Sequence, residues 1–223
     1  FDMFTKCIKE EKDIICVCIS TKLSGSFNAA QTAKEMCYEK YPGCKIEVID
    51  SKIITCLQGL LVKEICLMRD KKYELDKIVE IANIIKETAK IYFTVGNLDY
   101  LRHGGRIGKL VGLAGATLRI KPIVMLKEGE LHSEGLCFTR KKSLVKILNL
   151  TKDYFKMMNE NPDDYRFLLG YGYDYEEGAE FHQKVINGLN RDDVEFAQIG
   201  TTIGVHSGPY PMGIAFIKTH DKV

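Results

Sequence analysis

The chain has 223 residues, 45% of them hydrophobic and 28% charged, which is typical of a globular protein of one large or two small domains. Its formal net charge of +2 is too small to indicate nucleic-acid binding, and its basic residues lack the interleaved aromatic residues of a strand-binding surface. No apolar run is long enough to cross a bilayer and no signal-peptide pattern is present, so we expect a cytoplasmic protein without stable membrane insertion.

The first half of the sequence alternates strand and helix patterns. The predicted elements are a helical pattern at 4–8, a strand at 13–19, a helix at 26–41, a strand at 46–49, helices at about 56–69 and 75–90, and a strand at 91–95. Such alternation requires crossover connections and predicts a mostly parallel sheet of buried strands. We therefore assign residues 1–97 to an N-terminal α/β lobe.

The pattern changes after residue 97, and we assign residues 98–223 to a C-terminal α/β lobe with a mixed sheet. The predicted elements are a short helix near 98–103, a helix at 109–118, a hairpin of strands 123–126 and 131–138, a helix at 143–158, a strand at 167–173, a helix at 176–189, and strands at 194–199, 203–205 and 212–217. The hairpin turn, Lys127 to Glu130, contains Gly129 where a positive φ is needed.

Eight cysteines are present, and most lie within apolar strand or helix patterns. No Cys-x-x-Cys pair occurs and the five histidines are scattered, so the spacing of a metal site is missing. We expect buried, reduced thiols, no bound metal and no cofactor.

The run Tyr100 to Gly108 contains two adjacent glycines, Gly104 and Gly105, between Arg102 and Arg106. Glycine allows close backbone approach and positive φ, and arginine offers a planar donor group that suits a carboxylate or phosphate. The run therefore predicts an acidic ligand or an acidic partner. The alternative is a glycine helix stop flanked by solvated arginines.

Ser24 lies between a predicted buried strand and the start of a helix, where free N–H groups bind anions. The alternative is that Ser24 or Ser26 only caps the helix. His206 follows the predicted strand 203–205 at its end, beside turn residues. A hydroxyl, an imidazole and a guanidinium from Ser24, His206 and Arg106 would together replace the water shell of a carboxylate.

The sequence does not match two enzyme motifs that it partly resembles, the P-loop and the serine hydrolase site. His103 stands where a P-loop needs its first glycine, and Leu110 stands where it needs Ser or Thr. A Ser24–His206 hydrolase lacks the Gly-x-Ser-x-Gly elbow, because Lys22 occupies the first glycine position, and no acidic third member is evident.

Five segments in this order resemble the DegV family of bacterial fatty-acid-binding proteins. They are Ile19 to Phe27 (Ile-Ser-Thr-Lys-Leu-Ser-Gly-Ser-Phe), Val48 to Ser51, Leu98 to Ile107, Ile120 to Ile123, and Gly204 to Pro209 (Gly-Val-His-Ser-Gly-Pro). Together they extend over nearly the whole chain. The resemblance implies a two-lobed α/β protein that holds a long-chain fatty acid in a buried apolar tunnel and presents its carboxylate to a separate fatty acid kinase, which forms an acyl phosphate.

The resemblance also implies the site residues. Ser24 would bind the carboxylate with help from the Gly25 or Ser26 amides, His206 would lie close by, and Arg106 would be the cationic member, a role that Arg102 can also fill. Four basic residues are candidates for docking the kinase: Arg102, Lys109, Arg119 and Lys121. Two alternatives remain open on the same fold, a small-molecule sensor and an enzyme, either phosphotransferase-like or a Ser24 esterase.

The chain departs from the family pattern in three places, and the smallest is His103 where the family commonly has Lys. The family opens with a further strand and a Thr-Ser-x-Pro-Ser loop that touches the headgroup, and the sequence printed here begins downstream of both, so we expect a fragment without its first strand. Tyr210 and Pro211 stand where the family usually has Gly and Ala, which puts the shape of this loop in question.

Overall fold

The computed structural model describes residues 1–113 and 120–223. The helices are α1 Asp2–Lys9, α2 Ser26–Lys40, α3 Thr55–Asp70, α4 Leu75–Thr88, α5 Asp99–His103, α6 Arg140–Met158, α7 Tyr175–Leu189 and α8 Thr201–Ser207. The strands are β1 Ile14–Cys18, β2 Ile46–Asp50, β3 Lys90–Thr94, β4 Lys121–Lys127, β5 Glu130–Cys137, β6 Tyr165–Tyr171, β7 Glu195–Gln198 and β8 Met212–Lys218. Short 3-10 helices cover Gly108–Leu113, Pro162–Asp164 and His220–Lys222.

Local sequence signals set the ends of the two longest C-terminal helices. Thr139 caps α6 by accepting a hydrogen bond from the Lys142 N–H, and Asp174 caps α7 by accepting one from the Glu177 N–H. Both helices stop at an asparagine in the left-handed conformation, Asn159 (φ 53°) and Asn190.

The strands form two sheets. β1 and β2 pair in parallel as a two-stranded sheet, and the larger sheet has the order β5-β4-β3-β8-β6-β7. Among the strands of the larger sheet that the structure describes, only the β6–β7 pair is parallel. The predicted α/β class, with a mostly parallel N-terminal sheet and a mixed C-terminal sheet, is confirmed: the structure has a small parallel sheet and a larger mixed sheet.

The assignment of β3 to the parallel sheet is wrong. β3 pairs antiparallel with β4 and β8, in the middle of the larger sheet. Alternation of strands and helices indicates crossovers, but which sheet a strand joins depends on partners that are distant in sequence, here β8 near the end of the chain. The lobe boundary between residues 97 and 98 stays a prediction.

Helices cover both faces of the larger sheet, as the alternation along β8 shows. Ala215 and Ile217 pack with the α3–α4 core, whereas Ile214 and Phe216 pack with the α6–α7 core. A third, smaller core lies between α1, α2 and the two-stranded sheet, around Cys37. All eight cysteines are free thiols.

The β4–β5 turn connects the two sheets. Ser20, just after β1, donates its hydroxyl to the Gly129 carbonyl at 2.8 Å. Gly129 has φ +81°, and a Cβ there would collide with the Ser20 hydroxyl, so both backbone conformation and space require glycine. The predicted hairpin is confirmed, and its turn fixes the loop after β1 against the larger sheet.

Two other predictions differ from the structure. The segment expected as a strand at 203–205 is helical, within α8, although Thr201, Thr202, Ile203 and Val205 are β-branched and favour strands. The helix expected at 109–118 is a 3-10 helix over Gly108–Leu113, and residues 114–118 of that prediction lie outside the described residues.

A buried ionic cluster joins α3 to the C-terminal segment. Glu64 is fully buried and accepts hydrogen bonds from Arg166 Nε at 2.7 Å and from the backbone N–H and Nδ1 of His220. Lys71 Nζ lies 2.9 Å from His220 Nε2. Because lysine can only donate, Nε2 accepts and Nδ1 carries the proton given to Glu64. Burial alone would raise the pKa of Glu64, but these hydrogen bonds and the Arg166 charge outweigh it and lower that pKa.

Candidate functional site

A cavity lies where β1, β6 and β7 end and α3 and α8 begin, the edge at which α/β proteins usually bind ligands. It holds about 930 Å³ of empty space, a volume that includes open solvent at its mouth. Its lining is mainly apolar: Ile19, Leu23, Ile54, Ile91, Phe93, Leu101, Leu131, Ile199, Ile203 and Pro211.

Two glycines on neighbouring strands keep part of the wall free of side chains. Gly170 on β6 pairs with Gly213 on β8, and both line the cavity. A Cβ at Gly170 would lie 2.8 Å from Cys56 Sγ, so the start of α3 approaches the sheet closely here. The cavity is therefore shaped by backbone as well as by apolar side chains.

Ser24 lines the cavity from the loop between β1 and α2. The loop turns back through hydrogen bonds from the Leu23 and Ser24 N–H groups to the Ser20 carbonyl. Ser24 Oγ accepts a bond from the Ser26 N–H at 3.2 Å, which leaves its hydroxyl proton for a ligand. Gly25 and Ser26 are exposed and do not line the cavity.

Asp50, at the end of β2, holds the same loop. Its carboxylate accepts bonds from the Thr21 hydroxyl at 2.7 Å and from the N–H groups of Thr21 and Lys52. Asp50 was not predicted as a site residue, because its contact with Thr21 depends on the pairing of β1 with β2.

Arg106 lines the cavity and is tied to the loop that carries Ser24. Its Nε donates to the Leu23 carbonyl at 3.2 Å, and its Nη1 donates to the Gly104 carbonyl at 2.6 Å. The remaining guanidinium N–H groups of Arg106 can still donate to an anion in the cavity that Ser24 also lines.

His206 lines the cavity from α8. Its Nδ1 is buried without a hydrogen-bond partner and lies against Gly104. Ser24, Arg106 and His206 are thus brought to one cavity, although they are far apart in sequence, and the chemistry of this trio suits a carboxylate.

Comparisons with known proteins identify the family of this chain. Residues 1–219 match the family model described as "Uncharacterised protein, DegV family". The chain belongs to the DegV family. A DegV domain-containing protein of Clostridium perfringens is 30% identical over 218 residues, covering 98% of this chain and 75% of the relative.

Solved structures of DegV proteins share the fold. A fat acid (stearic acid)-binding protein from Eubacterium ventriosum matches with a TM-score of 0.91 at 35% identity, covering 100% of this chain and 76% of that one. The structure "Fatty Acid Binding of a DegV family Protein from Thermus thermophilus" matches with a TM-score of 0.85 at 25% identity, covering 97% and 75%. These DegV relatives bind fatty acids.

The structure adds lining residues that the sequence analysis missed: Thr55, Cys56, Thr202 and Ser207. Thr55, the first residue of α3, has φ +50°, a strained conformation for a β-branched residue and one that is common at functional sites. Burial raises the pKa of the Cys56 thiol, so Cys56 contributes a neutral surface. No motif in the sequence marks Thr55, because its strain becomes visible only in the backbone.

The loop with the unusual Tyr210 and Pro211 has a defined shape in this DegV protein. Arg140 donates to the Tyr210 carbonyl at 3.0 Å, and the Tyr173 N–H donates to the Pro209 carbonyl at 2.7 Å. Pro211 lines the cavity, whereas Tyr210 is exposed. This loop therefore contributes an apolar surface to the site.

The proposed docking residues have different environments. Arg102 is exposed and pairs with Asp99 at 3.2 Å, and Lys109 is exposed and lies 3.5 Å from Glu130. Lys121 donates inward to the Gly96 carbonyl at 2.6 Å. Arg119 lies outside the described residues.

The described part of the chain has neither a membrane-spanning helix nor a metal-binding group of side chains. No helix among residues 1–113 and 120–223 is long and apolar enough to cross a membrane. Within the same ranges, no group of three or more His, Cys, Asp or Glu side chains is arranged to hold a metal ion.

Proposed function

We propose that this DegV family chain binds one long-chain fatty acid, with the acyl tail in the cavity and the carboxylate at Ser24, Arg106 and His206. The supporting observation is a mainly apolar cavity into which a hydroxyl, a guanidinium and an imidazole converge. Relatives of the same fold that bind fatty acids add to this support.

The energetics fit a carrier. Removing about fifteen methylenes from water contributes on the order of 12 kcal/mol gross, at ~0.8 kcal/mol each. A carboxylate at the same site is costly to desolvate unless it is hydrogen-bonded and paired with a cation. The Ser24 hydroxyl and the Arg106 guanidinium meet that requirement, so a single site can hold both ends of an amphipathic ligand.

We further propose that the bound acid is presented to a separate fatty acid kinase. The kinase transfers the terminal phosphoryl group of a nucleoside triphosphate to the carboxylate oxygen, which forms an acyl phosphate and releases the nucleoside diphosphate. The exposed side chains of Arg102 and Lys109 offer positive charge near the Gly-Gly-Arg turn for an acidic partner. The Arg102–Asp99 pair is exposed and the Lys109–Glu130 pair is partly exposed, so both can exchange for pairs with a partner.

The first test is extraction of the purified protein with organic solvent, followed by mass spectrometry. We expect close to one equivalent of long-chain fatty acid from the wild type. In Ile203→Trp the larger side chain fills the cavity from α8, so the purified variant should contain no fatty acid. Val205→Trp is the matched control, because Val205 lies on the same helix but is 66% exposed and does not line the cavity.

Two results would count against the proposal. Wild-type protein without bound or bindable fatty acid would contradict binding, and equal loading of both tryptophan variants would contradict this cavity as the site. The transfer step is tested separately, by adding a bacterial fatty acid kinase and ATP and trapping acyl phosphate with hydroxylamine. Absence of hydroxamate from loaded protein would contradict the carrier role and leave binding intact.

A further inference from the structure

The short helices α5 and α8 are joined by two reciprocal contacts between a glycine and a ring. The glycine that ends α5, Gly104, lies against the His206 ring of α8. The glycine that ends α8, Gly208, lies against the Tyr100 ring of α5, where an added Cβ would be 2.6 Å from Cδ2. Each helix end thus accepts an aromatic side chain of the other helix.

Position 104 requires glycine because a larger residue would have no room there, and not because of its backbone conformation. Its φ is −76°, which any residue adopts, but a Cβ there would come well inside 3.0 Å of His206 Nδ1 and 3.2 Å from Cε1. The neighbouring Gly105 is the opposite case, with φ +68° and no atom within 4 Å of an added Cβ. The two glycines of the motif therefore have different physical roles.

The same turn also contacts the loop that carries Ser24. Arg106 donates one hydrogen bond to the Gly104 carbonyl and another to the Leu23 carbonyl, the residue before Ser24. One three-residue turn therefore touches the supports of both Ser24 and His206. The buried Nδ1 of His206 faces this turn without a partner.

We propose that the Gly104–Arg106 turn sets the distance between the Ser24 hydroxyl and the His206 imidazole, with Gly104 as the positioning residue for His206. Because Gly104 has no side chain, the Nδ1 edge of the His206 ring can pack directly against it. Nε2 is then the nitrogen of His206 that remains for a ligand. Arg106 holds the Leu23 carbonyl and so fixes the other side of the same site. This inference rests on the proposed function, in which both groups bind one carboxylate.

The test is a double-mutant cycle of Gly104→Ala and His206→Ala, read by the dissociation constant for stearate in the delipidated protein. His206→Ala should weaken binding on the order of tenfold or more, as expected for loss of a hydrogen bond to a charged group. Gly104→Ala should weaken it by a similar factor, and the double variant should bind no worse than His206→Ala. Gly59→Ala is the matched control, because no atom lies within 4 Å of an added Cβ there.

Several outcomes would overturn the inference. Wild-type affinity in Gly104→Ala would do so, and so would a Gly104→Ala loss that adds in full to the His206→Ala loss. If Gly104→Ala fails to fold, folding of the double variant supports the inference and failure of both overturns it.

Thermal unfolding separates this inference from the proposed function. Wild-type stearate binding by His206→Ala would refute the role of His206 in binding. In that case the inference still requires that Gly104→Ala lowers the melting temperature less in the His206→Ala background than in the wild type. Equal melting shifts in the two backgrounds would overturn it.

Discussion

Replacing Ser24 by alanine tests the headgroup site most directly. The hydroxyl of Ser24 accepts the exposed Ser26 N–H and has its proton free for a carboxylate. Ser24→Ala removes one hydrogen bond to a charged group, which is worth about 1.5–3 kcal/mol. At about 1.36 kcal/mol per factor of ten, the dissociation constant should rise roughly 10- to 150-fold.

The fold should tolerate this change. Water can replace the Ser24 hydroxyl at the Ser26 N–H, so the free energy of unfolding should change by about 0.5 kcal/mol or less, as for most surface substitutions. The acyl tail keeps its gross contribution of on the order of 12 kcal/mol. The variant should therefore still bind fatty acid but release it faster.

The measurement is competition between stearate and a fluorescent fatty acid on delipidated protein, with urea unfolding as the check on folding. Ser26→Ala is the matched control, because it removes a hydroxyl two residues away, at the start of α2, and Ser26 does not line the cavity. Unchanged affinity in a folded Ser24→Ala protein, or an equal loss in both variants, would refute the assignment of the carboxylate to Ser24.

Two further substitutions test the supports of the fold and the site. Glu64→Gln should lower the free energy of unfolding at neutral pH by about 3–5 kcal/mol, because it removes the charge from a buried ion pair with Arg166. The pKa of Glu64 is lowered in the folded state, so the stabilisation by its charge is complete above the ordinary pKa of 4.5 and is lost as pH falls through the folded-state pKa. The difference in free energy of unfolding between wild type and variant, measured in urea, should therefore narrow at low pH. A difference independent of pH would contradict this role of the Glu64 charge. Asp50→Ala should release Thr21 and weaken stearate binding severalfold. Asp76→Ala is the control, because it removes an exposed carboxylate on α4, and it should leave stearate binding unchanged. Equal affinities of the two variants would contradict a role for Asp50 in holding the loop.

Local patterns along the chain predicted most elements, because helix and strand periodicity reflects which face of each segment is buried. The β4–β5 hairpin was predicted from the turn residues around Gly129, whose positive φ is a local property. α8 was not predicted, because its β-branched residues favour a strand locally. In the structure this segment is a helix that contacts α5 and lines the cavity.

The sequence by itself determined the α/β class, the DegV resemblance, and the candidate residues Ser24, Arg106 and His206, because these follow from residue types at fixed spacing. Tertiary structure decided that β3 joins the larger sheet and that these three residues share one cavity. It also shows why position 104 requires glycine, because the His206 ring packs against it. Contacts between segments a hundred residues apart depend on packing and excluded volume, and neither leaves a local pattern in the chain.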